Sequence, residues 1–171
     1  MEFKQYLMAK KTPILHRWIQ NIRATFPHAQ AEWSSRRGDE FVRPVGHLMV
    51  KEMEAIFEGL LRGGRPADFS GSLDRIMRVR AVQDFSPAQA VSVLFQLKEA
   101  IRTELRDELR ESQTCLELFA FETEIDALAL LSFDLYMKCR EDIHELKLKE
   151  AKAAGSRMSG SARGAADEGR S

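Results

Sequence analysis

Apolar residues recur every three or four positions along most of the chain, as they do on one face of a helix. The strict alternation of apolar and polar residues that marks a half-buried strand is nearly absent. The pattern predicts an all-α fold, a single bundle of five to seven helices with a long C-terminal helix. The expected helices cover about residues 2–9, 13–26, 44–61, 70–82, 87–110 and 113–152.

Two helix starts carry specific capping residues. Ser86 precedes Pro87 and lies three residues before Gln89, the spacing of a capping box in which the serine oxygen and the glutamine side chain each accept from an exposed backbone amide. Thr12 followed by Pro13 predicts a similar start for the second helix.

Domain organisation follows from composition. Residues 1–153 carry the apolar periodicity and form one predicted domain, interrupted by an irregular stretch from His28 to Arg43. From Ala154 to Ser171 the chain is rich in Gly, Ser, Ala and Arg and has almost no apolar bulk, which predicts a disordered polar tail.

The last helix carries more apolar surface than one bundle face needs. Its near-heptad stripe predicts a homodimer contact, although the protein's own helices could cover the same residues instead. The predicted dimer stripe consists of Leu128, Leu135, Cys139 and Leu146. The exposed edge of this helix is the candidate surface for a protein partner, formed by Lys138, Glu141, Asp142 and Glu145.

Charge and cysteine content narrow the function classes. Lys and Arg number 26, as do Asp and Glu, so the formal charge is zero and the basic face typical of nucleic-acid binding is absent. The apolar runs are too short to insert into a membrane. Cys115 and Cys139 match no metal or redox spacing, and we interpret both as buried thiols of a cytoplasmic protein.

The sequence contains no recognisable catalytic or metal-binding motif, so we expect a non-enzymatic protein without a cofactor. A haem- or small-ligand-binding sensor is the alternative, because His16 and His47 lie near apolar stripes. Arg78, Arg80 and Asp84 form either a ligand or partner patch or a structural group in which Asp84 pairs with Arg80.

Three stretches together resemble the N-terminal domain of the RsbT co-antagonist proteins. They are FVRPVGH at 41–47, RVRAVQDFSPAQA at 78–90 and LLSFDLYMKCRE at 130–141. The resemblance implies a globin-like helical fold without haem and a dimerising sensory module of bacterial stress signalling. Family members usually continue into a STAS or kinase output domain, whereas this chain ends in a polar tail, so we expect a stand-alone module.

Overall fold

The computed structural model describes residues 2–26 and 44–167, with side chains up to Ser161. Within these ranges the chain forms six α-helices, two short 3-10 turns and no strand, which confirms the all-α prediction. The predicted irregular stretch from His28 to Arg43 lies outside the described residues, as do the last four residues of the chain. The helices are α1 (Phe3–Ala9), α2 (Lys11–Arg23), α3 (Pro44–Leu61), α4 (Ser70–Val82), α5 (Pro87–Glu104) and α6 (Ser112–Asp167).

The bundle is organised around α6, which packs against α5 and α4, while α2 packs against α5 and α3 lies on α4. Trp18 of α2 is fully buried at this centre, and its indole Nε1 donates to the Val93 carbonyl at 2.7 Å. This bond satisfies the one polar group that the large side chain brings into the core.

The predicted capping box at the start of α5 is confirmed. The Gln89 amide donates to Ser86 Oγ at 3.2 Å, and the Ser86 amide donates to Gln89 Oε1 at 2.9 Å. The start predicted for α2 is wrong, because the helix begins one residue before Thr12 and has no side-chain cap. Pro13 is tolerated there because amides in the first turn have no helical partner to lose.

Replacing the α5 cap is expected to destabilise the protein measurably. Ser86→Ala should lower the free energy of unfolding by about 1 kcal/mol, because the Gln89 amide loses its acceptor. Urea denaturation with an unchanged m-value would measure the loss. Ser92→Ala is the matched control, since Ser92 lies within α5 and alanine is the better helix former there. Equal stabilities for the two variants would contradict the assignment of Ser86 as the cap.

Phe69 fixes the turn between α3 and α4. A Cβ atom on Gly59 would lie 2.4 Å from the Phe69 ring, and one on Gly64 would lie 2.8 Å from it. Gly63 has a φ of +76°, a conformation that glycine adopts without strain. The two neighbouring glycines therefore let the aromatic ring approach the backbone closely at a sharp turn.

Helix α6 continues beyond its predicted end. The helix runs through Asp167 rather than ending near Lys152, and every side chain from His144 to Ser161 is exposed. Between Glu145 and Ala154 every residue is Glu, Leu, Lys or Ala, all good helix formers, and the helix continues from there through Gly155 and Gly160. The division into a domain at 1–153 and a tail at 154–171 stays a prediction.

Both cysteines are free thiols. Cys139 is buried, as predicted, and burial raises the pKa of its thiol. Cys115 is only half-buried, which differs from the expectation. None of the helices in the described ranges has an apolar stretch long enough to span a bilayer.

Candidate functional site

The predicted dimer stripe does not form one exposed face of α6. Leu128 and Cys139 lie in the core of the chain, with exposed fractions of 0% and 3%. Leu135 is half-buried against that core, whereas Leu146 is exposed. Because α4 and α5 pack along this side of α6, the protein's own helices cover Leu128 and Cys139. Within a single chain these two residues are therefore already covered, and their predicted contact with a second subunit stays a prediction.

A second apolar row runs along the other side of α6, facing away from the core. At 100° per residue its members fall within a sector of about 100°, on average roughly 140° from the buried face. We call this row the outer stripe. It consists of Leu116, Phe119, Leu130, Phe133 and Met137, with exposed fractions of 62%, 56%, 73%, 46% and 38%. The outer stripe is an apolar surface that the described residues leave uncovered.

Helix α5 adds an aromatic residue beside the outer stripe. Phe95 is half exposed, and the Nζ atom of Lys98 lies 5.7 Å from the centre of its ring. The same Nζ donates to Asp126 Oδ1 at 2.8 Å, and Asp126 lies between Phe119 and Leu130 along the row. The acidic residue within the row is thus paired with a cation of its own chain.

The candidate partner surface is accessible. Lys138, Glu141, Asp142 and Glu145 are all exposed, and they follow the outer stripe toward the C-terminus of α6. Three of the four are acidic, so this end of the helix complements a basic partner better than an acidic one. Their role in binding a partner stays a prediction.

The charged group before α5 is arranged differently from the expected pairing. Asp84 contacts Arg140 of α6 at 3.2 Å, and Arg78 pairs with Asp74 at 2.7 Å. Asp84 has a φ of +58°, so the chain turns away from the helix axis there. The expected ion pair between Asp84 and Arg80 is therefore wrong: Asp84 pairs with Arg140, and the Arg80 side chain is buried in the core.

Arg80 is fully buried, with an exposed fraction of 0%. Its guanidinium carbon lies 4.4 Å from the centre of the Phe85 ring and 5.2 Å from that of Phe26. One nitrogen, Nη1, donates to Thr25 Oγ1 at 3.1 Å, whereas Nε and Nη2 have no hydrogen-bond partner among the described residues. Burial lowers the pKa of Arg80 to about 10, so the side chain is still protonated at neutral pH.

The spacing of α4 contained a signal for this burial. Leu73, Ile76 and Met77 are all buried, and Arg80 follows them at the seven-, four- and three-residue spacings of one helix face. An arginine at such a position is usually expected to reach solvent with its long side chain. As an arginine, residue 80 is expected at the surface, whereas its position on the same helix face as Leu73 and Ile76 indicates burial.

Two other arginines show how this protein satisfies guanidinium groups. Arg75 donates from Nε and Nη2 to the two carboxylate oxygens of Glu52, at 2.7 and 3.0 Å. Arg102 donates from the same two atoms to Glu122, at 2.6 Å each. Each pair uses the side-on edge of the guanidinium, the arrangement that matches a carboxylate best.

The Glu52–Arg75 pair is expected to make the protein sensitive to acid. The hydrogen bonds from Arg75 hold the pKa of Glu52 below its ordinary value of 4.5, against the opposing effect of burial. A lowered folded-state pKa means that the unfolded chain binds the proton more readily, so stability is present above pH 4.5 and is lost below it. Urea denaturation between neutral pH and pH of about 3 should show this loss.

The variant Glu52→Gln should be less stable at neutral pH and should lose less stability on acidification than the wild type. Glu54→Gln removes an exposed glutamate of the same helix and is the matched control for the loss of one negative charge. An unchanged slope of stability against pH in Glu52→Gln would contradict the prediction.

The histidines of the described ranges give no support to an interior haem. His16, His47 and His144 are all exposed, so none of them is directed into the core as an axial ligand would be. A groove of about 480 Å³ does lie beside His16, but it opens at the surface between α2, which contributes Pro13 and Gln20 among others, and Glu104 of α5.

Comparison with known proteins assigns the chain to a family. It is 27% identical over 114 residues to an uncharacterised protein of Archaeoglobus fulgidus, which covers 66% of this chain and 68% of the relative. No solved structure matches the chain. Residues 12–150 match the RsbT co-antagonist protein rsbRD N-terminal domain, a stretch that includes α3 to α5 and the buried part of α6. The chain therefore belongs to the RsbT co-antagonist protein rsbRD N-terminal domain family, a family of regulatory domains of stress signalling.

Proposed function

We propose that this protein is a non-catalytic regulatory module that forms a homodimer through the outer stripe and acts by binding another protein. The observation that carries the proposal is the exposed apolar row on α6, which the described part of the chain does not cover. Soluble monomers rarely keep a large contiguous apolar patch in water, and such patches usually mark an interaction surface.

The spacing of the outer stripe supports a helical partner. Leu116 and Phe119 are three residues apart, and Leu130, Phe133 and Met137 follow at intervals of three and four. These intervals keep the side chains on a narrow seam of the kind that two helices share in a coiled coil. Thr123 continues the same register between the two apolar groups.

We propose that a second copy of this chain packs against the outer stripe. Two copies related by a two-fold axis present the same row to each other, and this is the commonest form of soluble oligomer. Because Lys98 pairs with Asp126 within one chain, the acidic residue in the row would not enter the interface as an unpaired charge. Phe95 would extend the apolar contact onto α5.

The acidic end of α6 is the surface that we propose for a different protein partner. Glu141, Asp142 and Glu145 are exposed beyond the outer stripe, so they would stay accessible in the dimer. Membership in the family supports a regulatory role in stress signalling. We place its action in the cytoplasm, where free thiols such as Cys115 and Cys139 persist. We also propose that the helical bundle is globin-like and lacks haem, as the family resemblance implies.

Sedimentation equilibrium at micromolar concentration tests the proposed association. We expect the mass of two chains, independent of the wavelength of detection and of modest changes in salt, because the seam is apolar. A strict monomer across the concentration range would contradict the homodimer.

A further inference from the structure

The buried arginine of α4 is the feature that the proposed homodimer does not use. Arg80 is fully buried and stays protonated at neutral pH, yet its Nε and Nη2 atoms have no hydrogen-bond partner among the described residues. A buried charge without a hydrogen-bonding counter-ion is costly, so native proteins pair such groups. The faces of Phe26 and Phe85 interact with the cation, but an aromatic face offers no acceptor to the N–H groups at its edge.

The two Arg80 nitrogens that lack an acceptor, Nε and Nη2, indicate what kind of ligand would bind there. Arg75 and Arg102 each present Nε and Nη2 to both oxygens of a carboxylate, and the same two atoms are the unfilled ones in Arg80. The side chains of Arg75 and Arg102 are about half exposed, at 51% each, whereas Arg80 has no access to water that could replace a ligand. The geometry therefore fits two parallel hydrogen bonds to one carboxylate.

We propose that Arg80 binds the carboxylate of a small organic acid through Nε and Nη2. Thr25 holds the guanidinium from its other side, because its hydroxyl accepts from Nη1 at 3.1 Å while donating to the Ile22 carbonyl at 2.6 Å. The rings of Phe26 and Phe85 flank the cation and offer apolar surface to the body of the acid. An acid with an aromatic or short aliphatic body suits this setting better than an inorganic anion.

The site lies one residue beneath the surface. Thr25 is exposed, and Phe26 and Phe85 keep 4% and 8% of their surface in contact with solvent. Among the described residues, the guanidinium contacts Thr25 and Phe26 at the end of α2 and Phe85 in the short turn between α4 and α5. An acid can reach it through a local movement of these two segments.

The site is also joined to α6. The Tyr136 hydroxyl donates to the carbonyl of Phe85, and Tyr136 lies between Phe133 and Met137 of the outer stripe. An acid bound at Arg80 would therefore contact the turn at Phe85, and this turn is hydrogen-bonded to Tyr136 of α6. Any regulatory meaning of that connection rests on the proposed homodimer, whereas the binding itself does not.

Thermal unfolding of the full chain tests the binding, with sodium benzoate and sodium acetate as the carboxylate probes. We expect benzoate to raise the unfolding midpoint in a saturable manner, by about 5–10 °C at 100 times its dissociation constant. Sodium sulfate, phosphate and chloride at matched ionic strength separate a carboxylate site from a general anion site. Isothermal titration calorimetry with benzoate measures the same binding without unfolding.

Arg80→Met and Arg78→Met form the matched pair of variants. Arg80→Met removes the binding group and is expected to fold, because replacing a buried charge by an apolar side chain is often neutral or stabilising. Arg78→Met removes an exposed arginine of the same helix. We expect the benzoate response to disappear in Arg80→Met and to persist in Arg78→Met. Arg80→Lys keeps the charge without the two-pronged edge and should bind at least about tenfold more weakly.

Three results would overturn the proposal. The first is the absence of any response of the wild type to either carboxylate, which is also the result expected if the chain itself supplies the counter-ion. The second is an equal response of the wild type and Arg80→Met. The third is an equal response to sulfate or chloride at the same ionic strength. None of these results depends on the association state, so the homodimer and the binding site can fail separately.

Discussion

The double variant Leu130→Lys/Phe133→Lys is expected to be a folded monomer. Both side chains are exposed in the single chain, at 73% and 46%, so their replacement leaves the intramolecular core unchanged. In a two-fold dimer each substitution occurs twice, which brings four lysines into one apolar seam. Losing central apolar contacts of this kind costs about 2 kcal/mol or more each, so the dissociation constant should rise by at least about 100-fold.

Sedimentation equilibrium measures the loss, and far-UV circular dichroism verifies that the helices persist. Leu146→Lys is the matched control, because Leu146 is exposed on the opposite side of α6 and its substitution should leave the dimer intact. Leu128→Lys should instead unfold the chain, since that side chain is fully buried. A double variant that dimerises as tightly as the wild type would exclude the outer stripe as the interface.

Trp18→Ala is expected to cause the largest loss of stability among single core truncations. The side chain is fully buried between α2 and α5, and its indole donates to the Val93 carbonyl. Removing it leaves a large cavity and takes the indole donor away from a helical carbonyl of α5, at a cost of about 3–5 kcal/mol. Since domains of this size are stable by only about 5–15 kcal/mol, the variant should unfold at a much lower denaturant concentration.

Trp18→Phe separates the hydrogen bond from the packing. Phenylalanine retains most of the apolar volume but cannot donate to Val93, so we expect an intermediate loss of about 1–3 kcal/mol. Urea denaturation followed by circular dichroism measures both variants without relying on tryptophan fluorescence. Equal stabilities for Trp18→Ala and the wild type would mean that α2 does not pack on α5 through this residue.

Local sequence signals predicted the helices well where one mechanism dominates. Ser86, Pro87 and Gln89 specify the start of α5 through backbone hydrogen bonds that need no tertiary contact, and the structure forms both of them. The long C-terminal helix was equally predictable from its periodicity. Thr12 shows the limit of such signals, because α1 and α2 are separated by Lys10 alone and the shared turn removes the room for a cap.

The exposed and buried faces of α6 were harder to predict, because they depend on which neighbouring helices cover it. Leu128 and Leu130 are both leucines in the same apolar run, yet one is fully buried and the other is the most exposed member of the outer stripe. A helix that is apolar on several sides does not reveal from its own sequence which side α4 and α5 will occupy. Arg80 shows a related difficulty: the sequence groups it with the charged residues Arg78 and Asp84, whereas its helical position belongs to the buried face of α4.

The projecting end of α6 has a mechanical consequence. From His144 to Ser161 the helix carries only exposed side chains, and at 1.5 Å per residue this segment is about 27 Å long. As a rigid helix, this segment would amplify any rotation at the point where α6 leaves the bundle. A tilt of roughly 5° where α6 leaves the body would displace the far end by about 2 Å, a distance comparable to the helix shifts that switch subunit interfaces. A small change in helix direction near Tyr136 would thereby become a larger displacement at the tip, where the side chains up to Ser161 are exposed.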